Sequence, residues 1–515
     1  MQAKRTQGSS PGQIAQLITA DPGLPRSAPT QSYWQSPAHA LSTVKSSSLP
    51  QYTDVAIIGS GVTGASLSKT LLERDPNVRV VVFEARKLCS GATGRNGGQL
   101  ATNACESYAM LKHYHGREHA GEIVQFTLDT LARMRELAMQ YGPSECEFQE
   151  TQKVRAFLDQ TQFDEVRESL AQLEGDHPRF KGIFSVVAKD RLTDYGVHQG
   201  VGAIVHPAGT IWPYRLITRV FQDLFDTHRY RYLIETETPV TSISVVGESD
   251  QTTTHPYRIH TPRGIVQAKQ VIHCTNGYAG HLVPGLRGGI FPVCGSMTVQ
   301  DLRARNISSA QSPPPPNGHR FSWAVHYPPH RDPQTDTIHD GLYYLAQSAR
   351  SQLFYFGGDN AGWADSLNAD DRKTVPTSVE TLRRALPAFL CPSGGGDGHH
   401  SEEQRQRQIV AAWSGVMGFS SDGLPLVGRL PASVTGRPEA DGEWAAVAFN
   451  GYGMANCWLA GEALGMMVLG KDISGLLPEP YVINPGRLEQ SLSVQRSVDG
   501  LVHLEGDALG QESKL

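Results

Sequence analysis

Asp54-Val-Ala-Ile-Ile-Gly-Ser-Gly-Val-Thr-Gly64 is a short apolar run that leads into three glycines spaced Gly59-x-Gly61-x-x-Gly64. A second apolar run, Arg79–Phe83, ends on Glu84. This order predicts a strand, a tight turn, a helix and a second strand. Gly59 permits the turn, Gly61 lets the backbone approach a pyrophosphate, and Gly64 lets the helix pack closely. The helix start, with Val62 and Thr63, turns its amides to the phosphates. Glu84 lies 20 residues past Gly64, where a carboxylate accepts a hydrogen bond from a ribose hydroxyl, and Ala85 and Arg86 follow it in the same candidate site. A lone glycine triplet is weak, but the complete set in this order points to an adenine dinucleotide.

The loop after Glu84 narrows the choice. Cys89-Ser-Gly-Ala-Thr-Gly-Arg-Asn-Gly-Gly-Gln-Leu100 is glycine-rich at Gly91, Gly94, Gly97 and Gly98. Such a loop either moves freely on the surface or lies against something flat, and next to the upstream fingerprint the second reading is the stronger. Ala92 and Thr93 belong to the candidate site. Arg95 and Asn96 are possible donors to phosphate or ring oxygens, and Arg95 could equally support the loop itself.

From these residues the chain resembles the D-amino-acid-oxidase-like FAD-dependent oxidoreductases, which include glycine, sarcosine and gamma-glutamylputrescine oxidases. The look is closest to gamma-glutamylputrescine oxidase and glycine oxidase-type members. Ser90–Gly98 is similar to the stretch that family places beside its flavin. His206-Pro-Ala-Gly-Thr-Ile-Trp-Pro213 resembles its segment before a helix, and Val240 stands where a valine backbone borders the adenine. Val271–Gly277, with Thr275 and Gly277, resembles the strand end that closes over the dinucleotide. Gly415–Gly428 is similar to its Asp-x-x-Pro-x-x-Gly box, and Gly451-Tyr452-Gly453-Met454 matches a turn whose amides meet the pyrimidine edge of the ring. Tyr452 and Met454 replace smaller residues common in relatives. The cysteine motif that carries a covalent flavin in the sarcosine-oxidase subgroup is not found. The lysine which that subgroup places near the flavin N5 has no assigned counterpart, so catalytic residues stay unassigned.

The resemblance implies an α/β protein with a glutathione-reductase-like FAD-binding Rossmann domain and a second, mixed-sheet substrate domain. The expected division is an extended leader at 1–50, FAD-binding parts at 51–104, 201–284 and 411–475, a helical segment of the substrate domain at 105–200, its main part at 285–410, and a tail at 476–515. The 515 residues and 39% apolar content suffice for a large core. A formal charge of -5 gives no support for nucleic-acid or membrane-surface binding, and no apolar run is long enough to span a membrane. The seven cysteines form no C-x-x-C pair and read as reduced thiols of an intracellular protein. Within the Ser- and Pro-rich leader, Tyr33-Trp34 could pin the chain to the body. Apolar spacing predicts helices over 116–141 and around Phe163–Leu173, a hairpin from 342–345 and 353–356, and loops at 312–317 and 393–400.

His115-Gly-Arg-Glu118-His119, with His113 beside it, fits the H-x-x-E-H pattern of zinc hydrolases. No third ligand can be placed, and a solvated helix face is the expectation; His399-His400 reads as loop. No metal is expected. Ser513-Lys514-Leu515 matches the peroxisomal import tripeptide, so a peroxisome, with its import receptor as partner, is expected and a cytoplasmic location is the alternative.

The family resemblance implies an oxidase of an amine or amino acid C–N bond that gives an imine and passes electrons to molecular oxygen, yielding hydrogen peroxide. A dehydrogenase with another acceptor, including one of secondary metabolism, and a non-catalytic FAD-binding assembly protein are the alternatives. Tyr343, Tyr344, Phe354, Trp413 and Tyr452 are candidate walls of the substrate site.

Overall fold

Strand β1 (Tyr52–Ile58) is apolar without alternation because both of its faces are covered: Val55 and Ile57 enter one core and Ala56 and Ile58 another. In the computed structural model, which describes residues 10–246, 254–302, 318–332, 337–390, 408–438 and 440–510, β1 lies at the centre of the first of two sheets. The expected loops at 312–317 and 393–400, with His399 and His400, and the tripeptide Ser513–Leu515 fall outside the described residues.

In chain order the next strands are β2 (Val80–Phe83), β3 (Gln99–Leu100), β4 (Gln149–Phe157), β5 (Ser185–Ala188) and β6 (Gly202–Thr210). Then come β7 (Tyr232–Glu235), β8 (Ser242–Val245), β9 (Tyr257–Thr261), β10 (Gly264–His273) and β11 (Ile290–Gln300). The remainder are β12 (Phe321–Asp332), β13 (Thr337–Gln347), β14 (Phe354–Ala361), β15 (Ile409–Ser420), β16 (Leu426–Arg429) and β17 (Glu443–Val447). The first sheet runs β16-β17-β10-β1-β2-β7, with β9 and β8 continuing from β10. Its core pairings are parallel: Val55 stands opposite Val80 and Ala56 opposite Val271. The second sheet runs β15-β11-β14-β13-β12-β4-β6-β3, with β5 paired to β6.

Helix α2 (Val62–Arg74) follows β1 and packs on the helix Cys457–Val468. Two glycines of the later helix make this possible. A Cβ on Gly461 would lie 2.8 Å from Ser66 Cβ, and one on Gly465 would lie 2.8 Å from Thr70 Cγ2. Helix Pro213–Thr227 starts on Pro213, whose missing N–H costs nothing at a first turn. Helix Pro376–Leu390 covers the outer face of the second sheet through Leu382, Leu386 and Leu390, against Val154, Val205, Trp323 and Phe356.

The leader departs from expectation beyond residue 9. Helix α1 (Pro11–Thr19) has a capping box, with Gln13 N donating to Ser10 Oγ at 3.3 Å and Ser10 N to Gln13 Oε1 at 2.9 Å. Ile14 and Ile18 are buried against Phe291, Val293, Val498 and Leu501. Trp34 stacks on Tyr355 with centroids 4.1 Å apart, and its Nε1 donates to Asn96 O at 2.6 Å. Overall composition hid a few well-placed apolar residues, whose burial fixes the segment.

Candidate functional site

The glycine fingerprint builds a cradle that admits no side chain. Gly59 has φ 115°, and a Cβ there would lie 2.5 Å from Cys274 O; one on Gly64 would lie 2.2 Å from Gly59 O. Gly61 starts α2 without a side-chain cap. Thr93 Oγ1 accepts from Val62 N at 3.0 Å, and the first-turn amides of Thr63 and Gly64 have no carbonyl within the helix to reach. Glu84 is buried at the end of β2. Its Oε2 accepts from Ser60 Oγ at 2.6 Å and Ser60 N at 3.2 Å, and Oε1 accepts from Arg86 N at 2.9 Å, which leaves one lone pair on Oε1 for a further donor. Ala85 follows in the same turn. Thr238 N donates to Glu84 O at 2.9 Å, which places the buried Val240 segment beside this end of the cradle. Above β1 and β10, Thr275 Oγ1 is buried without a partner and Gly277 sits where a Cβ would meet Met417 O at 2.4 Å. An uncapped helix start, a side-chain-free cradle and an orphaned hydroxyl fit a dinucleotide.

The loop 91–98 is held by protein groups. Gly94 approaches Cys89 O, Gly97 approaches Tyr344 and Gly98, at φ 66°, approaches Ile211 O and Trp34, each closer than a Cβ would allow. Gly91 and Ala92 begin a short 3-10 turn. Arg95 does not reach outward to a phosphate. Its Nε donates to Ser90 O at 3.0 Å and its Nη1 to Ser414 O at 2.6 Å and Thr30 Oγ1 at 3.2 Å. Arg86 likewise binds Asp371, and Asn96 closes its own turn through Thr93 O and Gly98 N. These side chains brace the loop because their partners, at Thr30, Asp371 and Ser414, arrive from distant parts of the chain.

The turn before the helix 457–468 carries strain. Ala448, Asn450 and Gly451 all have positive φ, at 60°, 50° and 79°. Asn450 holds the conformation: its Oδ1 accepts from Ser420 N at 2.9 Å and its Nδ2 donates to Ala448 O at 2.8 Å. Such strain in a non-glycine run marks a place where backbone direction matters. The turn that follows, Gly453–Ala455, packs against β3 and helix α3 (Ala104–Gln140), while Gly451 lies beside Met417 and Phe419 of β15.

Opposite that turn, the inner face of the second sheet carries a polar floor that sequence reading missed. Lys153, Arg155 and His206 are each only 2% exposed. Arg155 forms a two-point ion pair with Glu106 in the first turn of α3, its Nη2 lying 2.5 Å from Oε2. His326 Nε2 stands 3.2 Å from Arg155 Nη2. Burial pushes the Glu106 carboxyl upward, yet Arg155 and His326 outweigh it and hold Glu106 far below the usual carboxylate range. Burial, aided by Arg155, lowers His206 to about 4. Lys153 Nζ donates to Trp323 O at 2.7 Å and to Gln99 Oε1, and burial holds its pKa well below that of an ordinary lysine. Tyr344 is pushed up to about 12 by burial, with Tyr452 nearby. Lysine and arginine two apart on one strand was the available signal, since alternation puts both on one face.

The same alternation sorts the aromatic candidates. Tyr344 pairs with Ala324 and Gly357 on the inner face, and Tyr452 faces it from the strained turn. Trp413 is also inner, but it is fully buried and its Nε1 donates to Arg95 O at 2.8 Å, so it is a brace. Tyr343 and Phe354 point to the outer face with Phe356 under helix 376–390, so neither stands with Tyr344 and Tyr452. The H-x-x-E-H reading fails on geometry. Gly116, at φ 78° and ψ 166°, breaks α3 between His115 and Glu118, so the two histidines do not stack one turn apart. Among the described residues no group of three or more His, Cys, Asp or Glu side chains could hold a metal, and no helix is long and apolar enough to cross a membrane.

Known proteins agree with this construction. The chain is similar to gamma-glutamylputrescine oxidoreductase of Escherichia coli (strain K12), 24% identical over 450 residues that cover 86% of this chain and 89% of that protein. Glycine oxidase from Geobacillus kaustophilus shares the fold at TM-score 0.61 and 18% identity, covering 85% of this chain and 99% of that one. L-proline dehydrogenase from P.horikoshii does so at TM-score 0.59 and 16% identity, covering 86% and 100%. The family described as DAO, FAD dependent oxidoreductase, matches residues 54–467. The cradle that only glycines can line, the uncapped helix facing it and this match across most of the chain place the protein in the DAO family of FAD-dependent oxidoreductases.

Proposed function

We propose that this flavoenzyme oxidises the C–N bond of an amine or amino acid to an imine, with molecular oxygen as electron acceptor and hydrogen peroxide as product. The observation that carries the reading is the convergence of the Tyr344 ring, packed against Gly97, with Tyr452 from the strained 448–454 turn and the internally neutralised Arg155–Glu106 pair. When bound, FAD supplies the acceptor for a hydride equivalent from the substrate C–H. The residues of the chain set the conditions for that transfer. An amine releases hydride only when its nitrogen is neutral, and a buried site walled by the Tyr344 and Tyr452 rings, with no uncompensated carboxylate, disfavours an ammonium ion. Glu106 is engaged by Arg155 and offers no free carboxylate to stabilise that cation. Thr63, Gly64 and the 451–454 amides would hold the pyrophosphate and the ring, and Glu84 the ribose. The names of the relatives, oxidoreductases of amines and amino acids, support the same substrate class.

The test is anaerobic bleaching of the yellow protein at about 450 nm by amines and amino acids in turn, followed by air. Bleaching by one compound, then recovery of colour with one peroxide per turnover, is the expected result. Bleaching without recovery in air would replace oxygen by another acceptor and make the protein a dehydrogenase. A yellow protein that no compound bleaches would overturn the C–N reading and favour an assembly role.

Peroxide production supports a peroxisomal destination read by the import receptor from Ser513-Lys514-Leu515. A fluorescent fusion at the N-terminus should collect in peroxisomes and become cytoplasmic when the tripeptide is removed. A cytoplasmic signal with the tripeptide intact would overturn this.

A further inference from the structure

We propose that the Gln99 carboxamide reads the substrate, its Nε2 donating to a carboxylate or carbonyl oxygen, and that Lys153 is the positioning residue that fixes this polarity. The inference deepens the proposed function, because it takes the region beside Tyr344 and Tyr452 as the substrate site.

A glutamine can present either an acceptor or a donor, and its neighbours decide which. Lys153 Nζ donates to Gln99 Oε1 and to Trp323 O, so the oxygen of the amide is engaged and the NH2 group must face away from it. That Nε2 is buried with no hydrogen-bond partner. It lies 3.9 Å from the position of a Cβ built on Gly97, on the side where Gly97 meets the Tyr344 ring. β3, which carries Gln99, packs against the 453–455 turn that follows Tyr452. The orphaned donor therefore lies beside Gly97, on the side of the Tyr344 ring, and a buried N–H without an acceptor is tolerated where a ligand supplies one. Arg155, the nearby cation, is bound at two points by Glu106 and is not available as a carboxylate clamp. An amide NH2 held in place selects an amine that also bears an acceptor oxygen over a plain alkyl amine.

The test uses the FAD-loaded full chain and sodium propionate, a carboxylate with no C–N bond to oxidise, read by perturbation of the flavin absorbance. Wild type should show a saturable change. Gln99→Leu and Gln99→Glu should each weaken propionate about tenfold or more with flavin content unchanged. Lys153→Met should weaken it by a similar factor because the amide is freed to turn. Lys153→Gln, whose amide can still donate to Gln99 Oε1, should restore most of the loss; a purely space-filling role would not separate these two variants. Absence of any saturable change in wild type would overturn the proposal, as would unaltered propionate binding in Gln99→Leu. It would also fail if Gln99→Leu shifted the free-protein flavin band or loosened FAD while propionate bound normally, because the donor would then serve the ring. Propionate binding that depends on Gln99 in a protein no amine bleaches would uphold the oxygen-reading site and reject only the proposed reaction.

Discussion

Asp371 stands between two arginines, Arg86 after β2 and Arg95 in the glycine-rich loop. Arg86 Nη1 donates to its two oxygens at 3.0 and 2.9 Å, and Arg95 Nε lies 3.6 Å away. All three side chains are buried, and the aspartate comes from the far end of the second sheet's region. Asp371→Asn keeps the shape and removes the charge, which leaves two guanidiniums without compensation. The expected cost is about 3–5 kcal/mol, seen as a lower calorimetric midpoint and easier flavin loss on dialysis. Asp441→Asn, which touches the exposed Arg429–Asp441 pair, should change stability by less than about 1 kcal/mol.

Gly59→Ala should give a folded but colourless protein. The new methyl would lie 2.5 Å from Cys274 O at a φ of 115°, so the turn proposed to hold the pyrophosphate must open. The measurement is flavin absorbance per protein after reconstitution. Gly12→Ala, with nothing within 4 Å of the added Cβ, should retain full colour.

His206 makes stability depend on pH in a defined direction. Burial first, and Arg155 next, hold its folded pKa at about 4, below the 6.5 of the free side chain. The unfolded chain takes up a proton as pH falls through about 6.5, while the fold does not. Its contribution is thus fully present above that pH and lost as pH falls toward about 4, with a slope up to about 1.4 kcal/mol per pH unit. His206→Gln should flatten the denaturation midpoint over that window, and an unchanged slope would refute the assignment.

Chelation is expected to leave the enzyme intact. His119 is exposed and engages Glu122 and Glu479 across a helix that Gly116 has already broken. Dialysis against EDTA, or His119→Ala, should therefore change neither flavin content nor turnover; loss of activity that zinc restores would reverse this reading.

The cradle was legible in sequence because glycine acts locally: Gly59, Gly61 and Gly64 do their work within one strand, one turn and one helix. Strand β1, the acidic end of β2 at Glu84 and the tight turn at 451–454 were legible for the same reason. The polar floor was not. Lys153, Arg155, Glu106, His206 and His326 become a unit only when β4 pairs with β6 and β12 and the start of α3 lies across them. The bracing role of Arg86 was hidden for a related reason, since Asp371 lies 285 residues beyond it, whereas for Arg95 the loop-supporting alternative is the one the hydrogen bonds favour. Of neighbours Tyr343 and Tyr344 only one can face inward, and the face that looks inward is set by helix 376–390 covering the other side.

The central position of β1 has a consequence for synthesis. Its neighbour β10 begins more than two hundred residues later, and β17, next in the sheet, closes only at Val447. While the chain leaves the ribosome, β1 and β2 wait with unpaired edges and exposed valines. Folding of the first sheet must therefore be largely post-translational and slow, and fragments ending before residue 447 should aggregate unless chaperones hold them.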